Sequence, residues 1–277
     1  MGALTVFKKN RLALVGLIIV AGLLVVGLFA PFLSPYSVRE QDLPNRLSQP
    51  SWKHPFGRDE FGRDILSRVI FGARVSLWVG LTVVTISAAL GILLGSISGY
   101  YGGAVDEVIM RVIDILLAFP GILLAIAMAA LLGPGLNNVI VALSMISWVA
   151  YARLVRGEVL KVREMPYVEA AKVVGASSPR IIFRHILPNI MAPVIVQATL
   201  GIAGVIIAEA SLSFLGLGVQ PPTPSWGNML SDGILHMMDA PHLTIFPGLA
   251  IMVVVLGFNF LGDGLRDALD PRMKTLW

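Results

Sequence analysis

The sequence contains no cysteine, which excludes disulfides, thiolate-bound metals and cysteine-ligated iron–sulfur centres. Charge is scarce as well: Asp, Glu, Lys and Arg make up 14% of 277 residues, too few to coat a soluble domain of that size. The four histidines, His54, His185, His236 and His242, lack the spacing of paired ligands on a helix, so no metal site is expected. Gly-Lys-Ser and Gly-Lys-Thr are missing, so there is no P-loop to cradle a nucleotide's phosphates. Neither His-Glu-x-x-His nor Gly-x-Ser-x-Gly occurs, which argues against a membrane protease. No basic and aromatic interleaving marks a nucleic-acid surface.

What is present is oil. Hydrophobic residues form 56% of the chain and the mean hydropathy is +0.81, the composition of an integral membrane protein. A bilayer crossing takes about 20 apolar residues, and the uncharged runs predict an all-α protein with six such helices. These are 12–33, 75–99, 111–132, 136–152, 189–218 and 243–262. The first run is too long for a signal-peptide core, and Lys8, Lys9 and Arg11 before it place segment 1–11 in the cytoplasm. Segment 34–74 is then outside, with turns leading into an amphipathic helix at the membrane surface. Segment 219–242 is a second outer loop, and 263–277 a cytoplasmic tail. With both ends inside, 14 of the 21 Lys/Arg are cytoplasmic and the other seven lie in the long first loop. Gly91, Gly95 and Gly99, four apart, form a stripe for close helix contact.

Three polar features interrupt this pattern. In the first loop Gly-Arg-Asp occurs twice, at Gly57-Arg58-Asp59 and Gly62-Arg63-Asp64, and reads as a self-satisfied surface network rather than a phosphate or metal site. Two acids fall in predicted spans. Asp114 sits near the inner end of the third, where a salt bridge or cap is expected of it. Glu209 lies deep in the fifth, as a pathway group or a hydrogen-bonded group holding helices together.

The third feature is the insert 153–188, with seven Lys/Arg against three acids, which a membrane protein should hold in the cytoplasm. Pro166 suits a first helical position, Gly175 the left-handed residue after a helix, and Ser178-Pro179 an N-cap and a new start. Two short helices with a glycine turn between them are predicted. On the first, Tyr167, Ala170, Val173 and Val174 share one face, and Glu169 and Lys172 another. That small apolar face suits either a groove in a cytoplasmic partner or packing on the chain's own bundle.

The insert carries a resemblance. Glu169, Ala170, Ala171, Gly175, Leu187 and Pro188 stand in the register of the "EAA" loop of permease subunits of ABC importers. His185 replaces the usual Ile, and His185-Ile186-Leu187-Pro188-Asn189 resembles the peptide and nickel branch of that family. His54-Pro55-Phe56-Gly57-Arg58-Asp59, with Gly62-Arg63-Asp64 and Ser67-Arg68, is similar to a signature of the same branch, with Arg58 in place of Thr. The stretch from Glu209 to Gly218, the Pro224-Ser225-Trp226-Gly227 loop and the tail around Arg272 resemble it too.

This resemblance implies a type I ABC importer permease domain over about 75–272, and a multi-pass subunit of a bacterial cytoplasmic membrane. It implies that the chain forms half of a path for di- or oligopeptides, beside a second permease, two ATPase subunits and an extracytoplasmic substrate-binding protein. ATP and magnesium would then be bound by the partners, with no cofactor in this chain, which is no enzyme itself. The insert would be the coupling helix that docks on the ATPase, with Ala170 and Ala171 in close contact, Glu169 in a polar contact and Gly175 at the turn. Nickel or another small solute is the alternative cargo, and an ion-coupled secondary transporter the alternative class.

Overall fold

The computed structural model describes residues 3–269, so the end of the predicted tail, with Arg272, lies outside the described residues. Among these the ordered elements are helices, with one isolated bridge between Arg58 and Asp64. They are α1 (Ala3–Lys9), α2 (Arg11–Leu28), α3 (Ala30–Leu33), α4 (Ile65–Tyr101), α5 (Gly103–Leu117), α6 (Gly121–Leu132) and α7 (Leu136–Val162). After them come α8 (Pro166–Val173), α9 (Ser178–Ile181), α10 (Leu187–Phe214), α11 (Trp226–Ile234) and α12 (His242–Leu269). Short 3-10 and π turns cover Leu43–Asn45 and Ile182–Ile186. Five continuous helical stretches are long and apolar enough to cross a bilayer, and α5 with α6 makes a sixth if that bent pair counts as one.

Several predicted boundaries move. The expected straight helix over 111–132 does not form: α5 and α6 meet at 87°. Pro120 is the cause, because its ring cannot donate to the carbonyl of Leu116 and clashes with it, so α5 ends and a new helix starts at Gly121. The first crossing ends at Leu28, and the remainder of 12–33 is a separate turn of helix with Pro31 in its first turn. The helix of the second span begins at Ile65, where Asp64 caps it by accepting from the Ser67 amide at 2.8 Å. That of the fourth continues ten residues past Ala152, to Val162, so the insert rides on a helix rather than starting as a loop.

The most extensive packing is between α4 and α7, and it is close. A Cβ added at Gly95 would lie 2.5 Å from the Ala152 carbonyl oxygen, and one at Gly99 2.9 Å from Val159 Cβ. Only hydrogen fits there. Within this seam, Arg156 of α7 donates to Asp106 of α5 through Nε at 2.5 Å and Nη2 at 2.6 Å, a two-pronged pair that fixes α5 against α7. Arg163 Nη1 also donates to the Gly99 carbonyl at 2.8 Å. On another side α2 lies along α12, and Asn10 Nδ2 donates to Asp267 at 3.2 Å, so the start of α2 and the end of α12 share one end of the bundle.

At the opposite end the first loop folds over the helices. Gly57 and Gly62 both take positive φ, +77° and +73°, and the aspartates after them close the turns. Asp59 accepts from the Phe61 and Arg63 amides and from Arg63 Nε at 2.6 Å, while Asp64 accepts from His54 Nδ1 at 2.8 Å. Arg58 completes the chain by donating to His54 Nε2 at 2.7 Å and to Asp42. The Gly-Arg-Asp repeat is thus a hydrogen-bonded network that draws in Asp42 and His54, and it is not the surface network expected, because Asp59, Arg63 and Asp64 are buried.

Substitution at the seam should be costly. Gly95→Leu should lower the thermal midpoint of the purified protein, by the about 1–3 kcal/mol typical of overpacking or more, because backbone faces the added atoms. Gly22→Leu, where nothing lies within 4 Å, should leave the midpoint in place. Differential scanning fluorimetry in detergent distinguishes the two.

Candidate functional site

The insert is built as an exposed helix on a buried footing. Pro166 opens α8, since its missing N–H is one that a first turn leaves unpaired anyway. Gly175 closes it at φ +84°, with its own amide bonded to the Lys172 carbonyl at 2.9 Å and that of Ala176 to Ala171 at 3.0 Å. Those two bonds are the paired closure of a left-handed helix stop, and glycine is the residue that adopts it without strain.

Val168 is the one fully inward side chain of α8. It packs with Val155 and Val159 of α7 and with Ile181, Ile186, Ile190 and Val194, and half-buried Ala171, Ala176 and Leu187 complete that cluster. The predicted apolar face is not part of it. Tyr167 is 44% exposed, Val173 and Val174 are each 87% exposed, and Ala170, Glu169 and Lys172 also point outward. Of the two expected contact alanines, Ala170 is therefore outside and Ala171 turns half inward. Among the described residues no part of the bundle covers that outer face.

The second short helix starts one residue earlier than expected, with Ser177 rather than Ser178 at the N-cap. It leads into the π turn Ile182–Ile186, whose end is set by Pro188: the Arg184 carbonyl has no N–H to take, and Leu187 reaches back five residues to Ile182. Half-buried His185 lends its carbonyl to Asn189 Nδ2 at 2.7 Å, and Pro188 is exposed in the first turn of α10. Leu187 and Pro188 therefore shape the footing and the entry to α10. Phe183, 67% exposed in the π turn, adds a further outward apolar group that pattern reading missed; its place directly before Arg184 and His185 was the available signal.

The two acids of the spans separate in role. Glu209 on α10 is 0% exposed, and its Oε1 accepts from Ser213 Oγ at 2.7 Å. Ser213 in turn accepts from the Val219 amide at 3.2 Å, so the carboxyl group braces the turn between α10 and α11 through Ser213. The Glu209 carboxyl group also has Ser76 of α4 as a neighbour, although Oε2 makes no close hydrogen bond among the described residues. Asp114 is exposed on α5 and forms no ion pair among the described residues; Arg111, the nearest basic residue in sequence, lies instead 3.9 Å from Glu107. The salt bridge or cap expected of Asp114 is not made, because it lies on the open face of an amphipathic helix.

Comparison with known proteins follows the same lines. The model of the family described as "binding-protein-dependent transport system inner membrane component" matches residues 91–275. The chain belongs to that family. It is a permease of an ABC importer, which removes the ion-coupled alternative. A second model, "N-terminal TM domain of oligopeptide transport permease C", matches residues 2–50. The dipeptide transport system permease protein DppC of Alkalihalophilus pseudofirmus is 53% identical, across 97% of this chain and 88% of that one. The glutathione transport system permease protein GsiD of Escherichia coli is 50% identical, across 97% and 89%. Among solved structures, "Inward facing conformations of the MetNI methionine ABC transporter" superposes with a TM-score of 0.60 at 17% identity, over 74% of this chain and 98% of that one. That likeness is one of fold.

If Glu209 is an anchor, Glu209→Gln should keep the bond to Ser213 and leave complex yield unchanged. Glu209→Leu should leave Ser213 without its acceptor and reduce stability by about 1–3 kcal/mol, read as a lower thermal midpoint.

Proposed function

We propose that this permease carries short peptides, and that α8 is the element through which separate ATPase subunits drive it. The carrying observation is the outward face of α8. Tyr167, Val173 and Val174, with Ala170 between them, form an apolar surface on the basic end of the bundle, held rigid by Val168 and by the Gly175 stop. Apolar anchors spaced along one helix face suit a groove in a partner protein. Glu169 and Lys172 flank that face and supply polar contacts.

In this reading α8 is cytoplasmic, as are the start of α2 and the end of α12, and the first loop with α11 faces the outside. ATP and magnesium belong to two ATPase chains, a second permease supplies the other half of the path, and a substrate-binding protein delivers cargo to the outer face. Closure of the ATPases on ATP biases the helices between inward and outward openings only by as much as they bind the two states differently. The dipeptide and glutathione permeases, about half identical over nearly the whole chain, support peptides of two or three residues as cargo. No observation here favours nickel.

Two experiments test this reading. Ala170→Asp should abolish co-purification of the ATPase subunits while membrane insertion persists, and Gly175→Val should do the same by straining the stop; full uptake with both would overturn the docking assignment. For cargo, ATP hydrolysis by the lipid-reconstituted complex is measured as binding protein is added with dipeptides, glutathione or nickel. Stimulation by short peptides is expected, and stimulation by nickel alone would overturn the peptide reading.

A further inference from the structure

A cleft of about 540 Å3 opens between α7, α10 and α12, at the end of the bundle that carries the insert. Its wall includes Glu158 of α7, Asn189, Pro193, Gln197 and Leu200 of α10, and Arg266 of α12. By contrast, the crevice of about 480 Å3 beside Phe56 and Phe246 is walled by apolar and aromatic side chains throughout, as a lipid-facing groove is.

The polar groups in the first cleft are underused. Gln197 makes no hydrogen bond and Arg266 no ion pair among the described residues, and Glu158 meets only the exposed Lys161, at 2.7 Å. Pro193, inside α10, cannot donate to the Asn189 carbonyl one turn back, so a main-chain acceptor is freed in the same wall. Bare amides and carbonyls within a membrane bundle are tolerated where they line a water-filled cavity, and here Gln197 and the Asn189 carbonyl lie behind a mouth formed by half-buried Glu158 and exposed Arg266, beyond the uncharged cores of the spans. This cleft is therefore open to water. Its chemistry is also complementary to one kind of solute: a guanidinium for a carboxylate, a carboxylate for an ammonium, and amide and carbonyl groups for a peptide bond between them. The volume lies within the range of small-ligand sites, room for two or three residues and not for a long chain.

We propose that this cleft is a release-side binding site for a free, zwitterionic short peptide, with Arg266 holding the terminal carboxylate, Glu158 the terminal ammonium and Gln197 the amide bond. The site extends the peptide-importer reading and rests on it. It makes both chain ends, rather than side chains, the recognised features, and so suits a carrier of peptides of varied sequence.

The test uses the complete complex in lipid nanodiscs, without nucleotide or binding protein, titrated with radiolabelled dialanine. Saturable binding is expected, weakened about tenfold by Arg266→Gln and partly restored by Arg266→Lys, since one charge-assisted contact is of that order. N-acetyl-dialanine should bind more weakly than dialanine and be insensitive to Glu158→Gln, which weakens dialanine itself. Gln197→Leu, a neutral change, serves as a second variant should Arg266→Gln fail to assemble, and should also weaken binding. Equal affinity in all variants, equal affinity for dialanine capped at both ends, or displacement of bound phospholipid in place of dialanine binding would overturn the proposal. ATPase stimulation by binding protein and dialanine, measured on the same preparation, separates the two levels. Stimulation without cleft binding overturns this site alone, whereas no stimulation by any short peptide overturns the peptide reading.

Discussion

Close approach of α4 and α7 is the constraint on which the rest of the molecule depends. In a bilayer, helices gain nothing from hiding oil from water, so they associate through dense packing, and backbones must come near one another. Gly91, Gly95 and Gly99 permit this along the C-terminal half of α4, against Tyr151, Ala152, Val155 and Val159. The same seam sets the geometry beyond it. Because α7 is held fast up to Val159, near its end, Val155 and Val159 give α8 a rigid part of its footing. Arg156, in step with the seam, pins α5 through Asp106 and so fixes the start of the bent pair.

Much of this was legible in the sequence, and the failures share a physical origin. Hydrophobic runs locate helices that lipid must accept, and they indicated six crossings. Such runs carry no information on where a helix ends in a polar region, and α4 and α7 both extend well beyond their uncharged cores. Within a uniformly apolar run a single proline is easily passed over. Pro120 divides the third crossing, whereas the break between α6 and α7 falls at Gly133-Pro134-Gly135, where glycines flank the proline.

The candidate site shows a subtler limit. Gly175 was readable because the left-handed stop is a backbone requirement that few residues meet. Which face of α8 turns inward was not, since both faces offer apolar residues and the choice depends on the distant positions Ile186, Ile190 and Val194. The inward choice is Val168, a single side chain, and this leaves the greater apolar area for something outside the chain. Asp114 fails for a related reason: periodicity can place an acid on a helix, but whether a cation reaches it depends on a bend elsewhere.

The π turn at Ile182–Ile186 bears on how motion could pass from the insert into the bundle. It contains one residue more than an α-helical turn, which amounts to about 100° of extra winding between α9 and α10. Because Pro188 fixes the end of the turn, that surplus residue cannot pass into α10, and the extra winding is held at the one place where the insert joins the bundle.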